Sequence, residues 1–217
     1  MHKIVLASGN PGKLAELRAM LDGTGIELVP QTDLGIGEAE ETGLTFVENA
    51  ILKARHATRA SGLPALADDS GICVDALGGA PGLDSAVYAG VHGADEANND
   101  RLLHALAEVP DDRRTAHYTC VVVLLHNASD ADPVIATGRW CGRILRERRG
   151  SHGFGYDPLF LPDDGSGLSS GELDPAEKNR ISHRGKALAM LMEMLGSGDQ
   201  GPEAVKSRAA SWQEYPA

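Results

Sequence analysis

The stretch from Leu66 to Gly90, LADDSGICVDALGGAPGLDSAVYAG, sets the terms for the rest of the chain. An apolar run, Pro64-Ala65-Leu66-Ala67, ends in two adjacent carboxylates, Asp68 and Asp69, and the Ser70-Gly71 pair that follows predicts a turn. Ile72 and Val74 then carry the chain to Asp75, and Gly78-Gly79-Ala80-Pro81-Gly82 is too rich in glycine and proline for a helix or a central strand. A strand ending in acids at a tight turn places them at a sheet rim, where ligands of α/β proteins bind. Taken alone, Asp-Asp-Ser-Gly reads first as an ordinary turn, because these residue types dominate turns. The remaining segments shift that balance.

Ile4 to Ala7 is too short an apolar run for a helix and suits a buried parallel strand. It breaks at Ser8-Gly9-Asn10-Pro11-Gly12, after which Lys13 to Leu21 carries apolar residues at helical spacing. A strand, a Gly-rich turn and a helix in that order present free backbone N–H groups and a positive dipole end to an anion. Ser8 and Asn10 add side-chain donors, Lys13 adds a charge, and a phosphate tail is the natural guest. A P-loop is excluded, because Leu14 follows Gly12-Lys13 where Ser or Thr is required. A capped helix with a solvent-facing lysine satisfies the same residues, so both readings stand at this point.

A second short strand, Ile26 to Val29, leads to the acidic run Glu38-Ala39-Glu40-Glu41. Thr45 then opens a long helix to Ser61, with Glu48 completing a capping box and Phe46, Ala50, Ile51, Ala54 and Ala57 forming its apolar stripe. The acids form either a solvated loop or place one glutamate facing the Asp68-Asp69 rim to share a divalent cation, since carboxylates from separate loops commonly hold Mg²⁺. Asp95 to Val109 reads as a helix, and the runs 115–126 and 133–145 as a long antiparallel hairpin. Five arginines at its far end (Arg139, Arg143, Arg146, Arg148, Arg149) read as a solvated strand edge. In Ser151-His152-Gly153-Phe154-Gly155-Tyr156-Asp157-Pro158, two aromatics flank a glycine, which lets a ring lie against a planar base with backbone nearby. Packing those rings into the core is the alternative. Asp174-Pro175 opens a helix expected to run to Leu195, with a first half too polar for ordinary packing. Residues 196–217 read as a mobile tail.

Composition removes several classes. A formal charge of −11 argues against nucleic acid as the main partner, though not against a nucleotide in a locally basic pocket. The three cysteines, Cys73, Cys120 and Cys141, are widely spaced and indicate neither a disulfide framework nor a zinc site. With no signal-peptide pattern at Met1–Leu6 and no membrane-spanning run, a cytoplasmic protein without membrane or nucleic-acid partners is expected. The order of elements predicts an α/β fold: a mixed sheet with helices on both sides, as two lobes of one domain over residues 1–195 with a central cleft between them.

Four segments taken together, Ser8–Lys13, Ala67–Gly71, Gly153–Pro158 and Ser182–Ala187, resemble the inosine/xanthosine triphosphate pyrophosphatases, a family that removes damaged purine nucleotides (dITP, ITP, XTP) from the pool. The match is in order from about residue 3 to 195, and Glu40–Gly43 and Gly79–Gly82 resemble the bacterial branch. His152 departs from the glycine or small polar residue usual there, and the tail is longer than expected. The resemblance implies a homodimer and Mg²⁺-dependent cleavage between the α and β phosphates, with a purine nucleoside triphosphate as the small-molecule partner. It implies that Ser8, Gly9, Asn10, Pro11, Gly12 and Lys13 hold phosphates, and that Asp69 is the metal-associated general base with Ser70 touching substrate. Glu40 or Glu41 supplies the second metal carboxylate. Phe154, Gly155, Tyr156 and Asp157 surround base and sugar, and Lys178, His183 and Arg184 reach the nucleotide. A nucleotide-binding regulatory module without hydrolysis, and a pyrophosphatase of different base preference, are the competing readings; RNA binding is the weakest.

Overall fold

Strand β1 (His2–Leu6) lies parallel to β2 (Ile26–Pro30), from His2 opposite Ile26 to Leu6 opposite Pro30. On its other side it pairs in parallel with β3 (Ala65–Val74), Val5 opposite Ala65 and Leu6 opposite Leu66. Parallel neighbours need crossover connections, and helices α1 (Pro11–Leu21) and α2 (Phe46–Ser61) lie in them. The computed structural model describes residues 2–164 and 166–196. Residues 197–217 of the expected tail lie outside the described residues.

The sheet has six strands in the order β2-β1-β3-β4-β5-β6, with β4 at Thr115–Leu125, β5 at Val134–Ile144 and β6 at Phe160–Pro162. β5 and β6 are antiparallel, so the sheet is mixed. Helix α3 spans Asp95–Ala105, shorter than the expected run to Val109. Two compact units divide the chain, one taking in residues up to Asp69, Val121–Gly138 and the stretch from Lys186, the other Ser70–Cys120 and Arg139–Gly185. Strands β3, β4 and β5 each run from one unit into the other.

The core of the first unit is built from small and β-branched side chains. Val5, Ala7, Ala65, Ala67, Val121, Val123 and Leu125 pack with Ala50, Ala54 and Ala57 of α2. An alanine stripe lets a helix approach its sheet closely, so this core forms without large rings. The second unit gathers the aromatics instead: Tyr118, Trp140, Tyr156 and Phe160 cluster with Ile72, Leu102, Leu106 and Ile144. Tyr118 meets Phe160 edge-on at 4.9 Å between ring centroids. Arg114 is buried and donates to the carbonyls of Leu106, Ile144 and Leu145, joining the end of α3 to the end of β5.

Two expectations are corrected. No turn interrupts the chain at Ser70-Gly71, because β3 continues unbroken through it to Val74. Gly71 serves a close approach: a Cβ there would stand 2.2 Å from the Gly82 carbonyl oxygen and 2.6 Å from Ser85 Oγ. The single helix expected from Asp174 to Leu195 is two, α4 (Pro175–Ile181) and α5 (His183–Gly196). Ser182 is extended at the break (φ −69°, ψ 167°), and its hydroxyl accepts the N–H of Gly185 at 3.2 Å in the first turn of α5. A serine that competes for backbone donors is a helix start rather than a helix interior.

Candidate active site

In the first unit, the chain leaves β1 into a turn whose polar groups already engage the helix start. Asn10 Oδ1 accepts the Lys13 N–H at 3.1 Å, and Ser8 Oγ accepts that of Asn10 at 3.2 Å. Pro11 occupies the first helical position, where no N–H is missed. Gly9 is required by a close approach, since a Cβ there would lie 2.8 Å from Glu38 Oε1. Lys13 turns toward the sheet, its Nζ 3.0 Å from Asp68 Oδ1, and is not the solvent-facing lysine of the alternative reading.

Side chains alternate across a strand, so Asp68 and Asp69 point to opposite faces of β3. Ala65 and Ala67 pack with α2, and Asp69 follows them at the same period. There it meets Lys53 of α2, whose Nζ lies 2.7 Å from Asp69 Oδ1 and 3.4 Å from Glu41 Oε1. Of the two glutamates left open by the sequence, Glu41 makes this contact. Its segment is held against α2: Asn49 Oδ1 accepts the Gly43 N–H at 2.8 Å, and the Glu48 carboxylate accepts from Leu44 N–H and Thr45 Oγ. The capping box is therefore present, with Thr45 Oγ accepting the Glu48 N–H.

Burial opposes the charge on Lys53, but the carboxylates of Asp69, Asp68 and Glu41 outweigh it and hold the ammonium above the ordinary lysine value. For Asp69 burial prevails over the pull of Lys53, and its carboxyl is pushed above the ordinary aspartate value. Lys53 was missed in the sequence, although a signal was there. It sits seven residues after Phe46 and three after Ala50, on the apolar stripe of α2 rather than its polar face.

These residues also fit a divalent cation. Two hard oxygen donors, from Asp69 and Glu41, already converge on one cationic atom. Among the described residues no three His, Cys, Asp or Glu side chains form a ready cage. A pair of carboxylates completed by water and phosphate oxygens is the usual arrangement for Mg²⁺.

In the second unit the Gly-Phe-Gly-Tyr-Asp segment closes around Asp157. Its Oδ2 accepts the Phe154 N–H at 2.9 Å and Lys178 Nζ at 2.5 Å, and its Oδ1 accepts Ser170 Oγ at 2.8 Å. Asp157 and Lys178 are both buried. Phe154 is half-buried, with Lys178 Nζ 5.2 Å and Arg184 Cζ 5.6 Å from its ring centroid. Tyr156 takes the alternative reading and packs into the core, its hydroxyl donating to the Ser85 carbonyl at 2.8 Å while burial pushes its pKa up. At the start of α5, His183 lies flat on Tyr118 (4.5 Å between centroids, 9° between planes). Buried Arg184 donates to Ser70 Oγ at 3.0 Å. Ser70, Phe154, Gly155, Tyr156, Asp157, Lys178, His183 and Arg184 thus all fall in this unit, and Ser8–Lys13, Glu40, Glu41 and Asp69 in the other.

A helix start behind a Gly-Asn-Pro-Gly turn and a lysine-bridged carboxylate pair lie in one unit, an aromatic loop flanked by buried cations lies in the other, and the class they belong to is that of the α/β proteins. The family follows from comparison with known proteins. The model of the Ham1 family matches residues 4–194, and the chain belongs to that family. It is 59% identical over 194 residues to a dITP/XTP pyrophosphatase of Thioalkalivibrio sulfidiphilus, covering 89% of this chain and 98% of that one. It is 53% identical over 199 residues to the dITP/XTP pyrophosphatase of Salmonella typhimurium, covering 91% and 100%. Among solved structures, a HAM1 protein from Coxiella burnetii superposes with a TM-score of 0.82 at 49% identity over 90% of this chain and 98% of that one. Among the described residues, no helix is long and apolar enough to cross a membrane.

Proposed function

We propose that this protein hydrolyses the non-standard purine nucleoside triphosphates dITP, ITP and XTP to the monophosphate and pyrophosphate, clearing them from the nucleotide pool. The observation that carries the reading is the convergence of Asp69 and Glu41 on Lys53, in the unit that holds the Ser8–Lys13 turn. The names of relatives more than half identical over nearly the whole chain support it.

Each group of residues suits one end of such a substrate. Backbone N–H groups at the start of α1, with Ser8, Asn10 and Lys13, bind phosphate oxygens. Asp69 and Glu41 would hold Mg²⁺, which when bound would offset phosphate charge and help position water. Asp69 accepts the proton of the attacking water, and Lys53 orients that carboxylate and opposes the burial that disfavours its charge. Phe154 offers its ring to the purine, with Arg184 and His183 as donors toward the base. Ser70 contacts substrate, and Lys178 with Asp157 fixes the loop. Nothing in this scheme needs a covalent intermediate. A homodimer belongs to the same reading, from the family resemblance, together with the cytoplasmic location expected from the sequence.

The test is pyrophosphate release from dITP, ITP, XTP, ATP and GTP with and without Mg²⁺. Fast, Mg²⁺-dependent release from the first three alone is expected; tight binding of ITP without release would replace the enzyme by a nucleotide-binding module.

Base choice rests on the six position of the purine, a carbonyl in inosine and xanthosine and an amine in adenine. A donor directed there is left unpaired by adenine, which discriminates strongly. Arg184→Ala is expected to lower the ratio of kcat/KM for ITP over ATP by about tenfold or more. An unchanged ratio would assign the base readout to other residues.

A further inference from the structure

Helix α3 supplies none of the residues assigned above, yet its first two turns hold the middle of the aromatic loop. The N–H of Gly155 donates to Asp95 Oδ2 at 2.7 Å, and the carbonyl of the same residue accepts from Asn99 Nδ2 at 2.9 Å. Both backbone polar groups of one glycine are thus taken by side chains one helical turn apart. Gly155 has φ 62°, a left-handed conformation that a side chain would strain, so the hold falls on the residue that sets the bend between Phe154 and Tyr156.

Neither side chain is placed as its own stability would require. Asp95 is the first residue of α3, and no side chain caps that helix at Ala94; its carboxylate faces the loop. Asn99 is buried, and its Oδ1 has no hydrogen-bond partner among the described residues. Burying an amide with one end unsatisfied is unfavourable, and the Gly155 carbonyl fixes its orientation because only the Nδ2 end can donate. The neighbouring Asn98 does a separate task, joining the Ala86 carbonyl and the Ala89 N–H.

We infer that Asp95 and Asn99 are positioning residues that pre-set the Phe154 ring for the purine by clamping Gly155 from both sides. The inference rests on the nucleotide reading of the aromatic loop. It adds α3 to the determinants of base recognition, through backbone geometry rather than contact with substrate. A loop held in its binding conformation before substrate arrives spares the ordering cost on binding, so loosening it raises KM more than it lowers kcat.

The experiment compares Asp95→Ala, Asp95→Asn, Asn99→Asp and wild type in two readouts: amide hydrogen exchange across residues 152–158 and steady-state kinetics with dITP and dATP. Asp95→Ala and Asn99→Asp are expected to speed exchange in that segment. They should also raise KM for dITP about tenfold, the worth of one such hydrogen bond, with kcat within about twofold. The preference for dITP over dATP should fall with them. Asp95→Asn keeps an acceptor for the Gly155 N–H and should stay close to wild type in both readouts. Unchanged exchange in Asp95→Ala, or an Asp95→Asn variant as impaired as Asp95→Ala, would overturn the clamp. If wild type releases no pyrophosphate from dITP, it is the functional reading that fails, and exchange alone decides whether the clamp exists.

Discussion

Asp69→Asn is expected to reduce pyrophosphate release by about a thousandfold or more, the scale of losing a positioned general base, while nucleotide binding stays within a few-fold. The amide keeps the shape and one oxygen toward Lys53 but takes no proton from water. Retention of a tenth or more of wild-type turnover would remove Asp69 from the chemistry. The same carboxyl predicts a pH effect. Burial raises its pKa above 3.8 against the opposing pull of Lys53, so the ionised base is lost at a higher pH than for an exposed aspartate. In the metal-free protein the Asp69 carboxyl should therefore titrate at a higher pH than an exposed aspartate, a transition that is absent in Asp69→Asn. The sign for folding is opposite to that of a stabilised carboxylate. A raised pKa favours the folded chain at low pH, and that preference is withdrawn as the pH climbs through the folded-state value.

Lys178→Met carries the largest expected loss of stability. The ion pair it removes has both partners buried, with Nζ 2.5 Å from Asp157 Oδ2, and methionine leaves the carboxylate desolvated beside two neutral donors. Breaking such a pair from one side costs about 3–5 kcal/mol, most of it the stranded charge. For a chain of this size that corresponds to a fall in Tm of roughly 6–20 °C. Adding Asp157→Asn to Lys178→Met should recover part of the loss, because the stranded charge is then gone. A single variant within about 2 °C of wild type would mean that the loop is held by its other hydrogen bonds, and calorimetry of the three proteins decides it.

Much of this was legible in the sequence, for identifiable reasons. The β1–α1 turn was readable because Pro11 after Asn10 has few other uses, and the start of α2 because Thr45 and Glu48 stand at capping distance. Local chemistry fails where a residue answers to something distant. Ser70-Gly71 reads as a turn from its composition, but Gly71 is small because the Gly82 carbonyl approaches it, eleven residues away in the chain. Ser182 looked like one polar position in a long helix, and the close approach of the Asn179 carbonyl to Gly185 belongs to a break that no periodicity announces. Asp95 resembles an ordinary helix-start charge until its partner, the Gly155 N–H, is seen. The strand β6 is three residues long, and its pairing with Gly142–Ile144 has no sequence pattern of its own.

The alternation along β3 has a consequence for how this protein can change over time. Asp68 and Asp69 are identical side chains in consecutive positions, yet one answers to Lys13 and the other to Lys53. Because the strand has a period of two, a shift of one residue would bring one acid to the other's lysine, carry the second acid away from both, and turn Ala65 and Ala67 away from α2. The pair is therefore not a duplicate with a spare. Neither aspartate is a substitute for its neighbour, and the length of chain between Ala65 and Asp69 is fixed as tightly as the acids themselves.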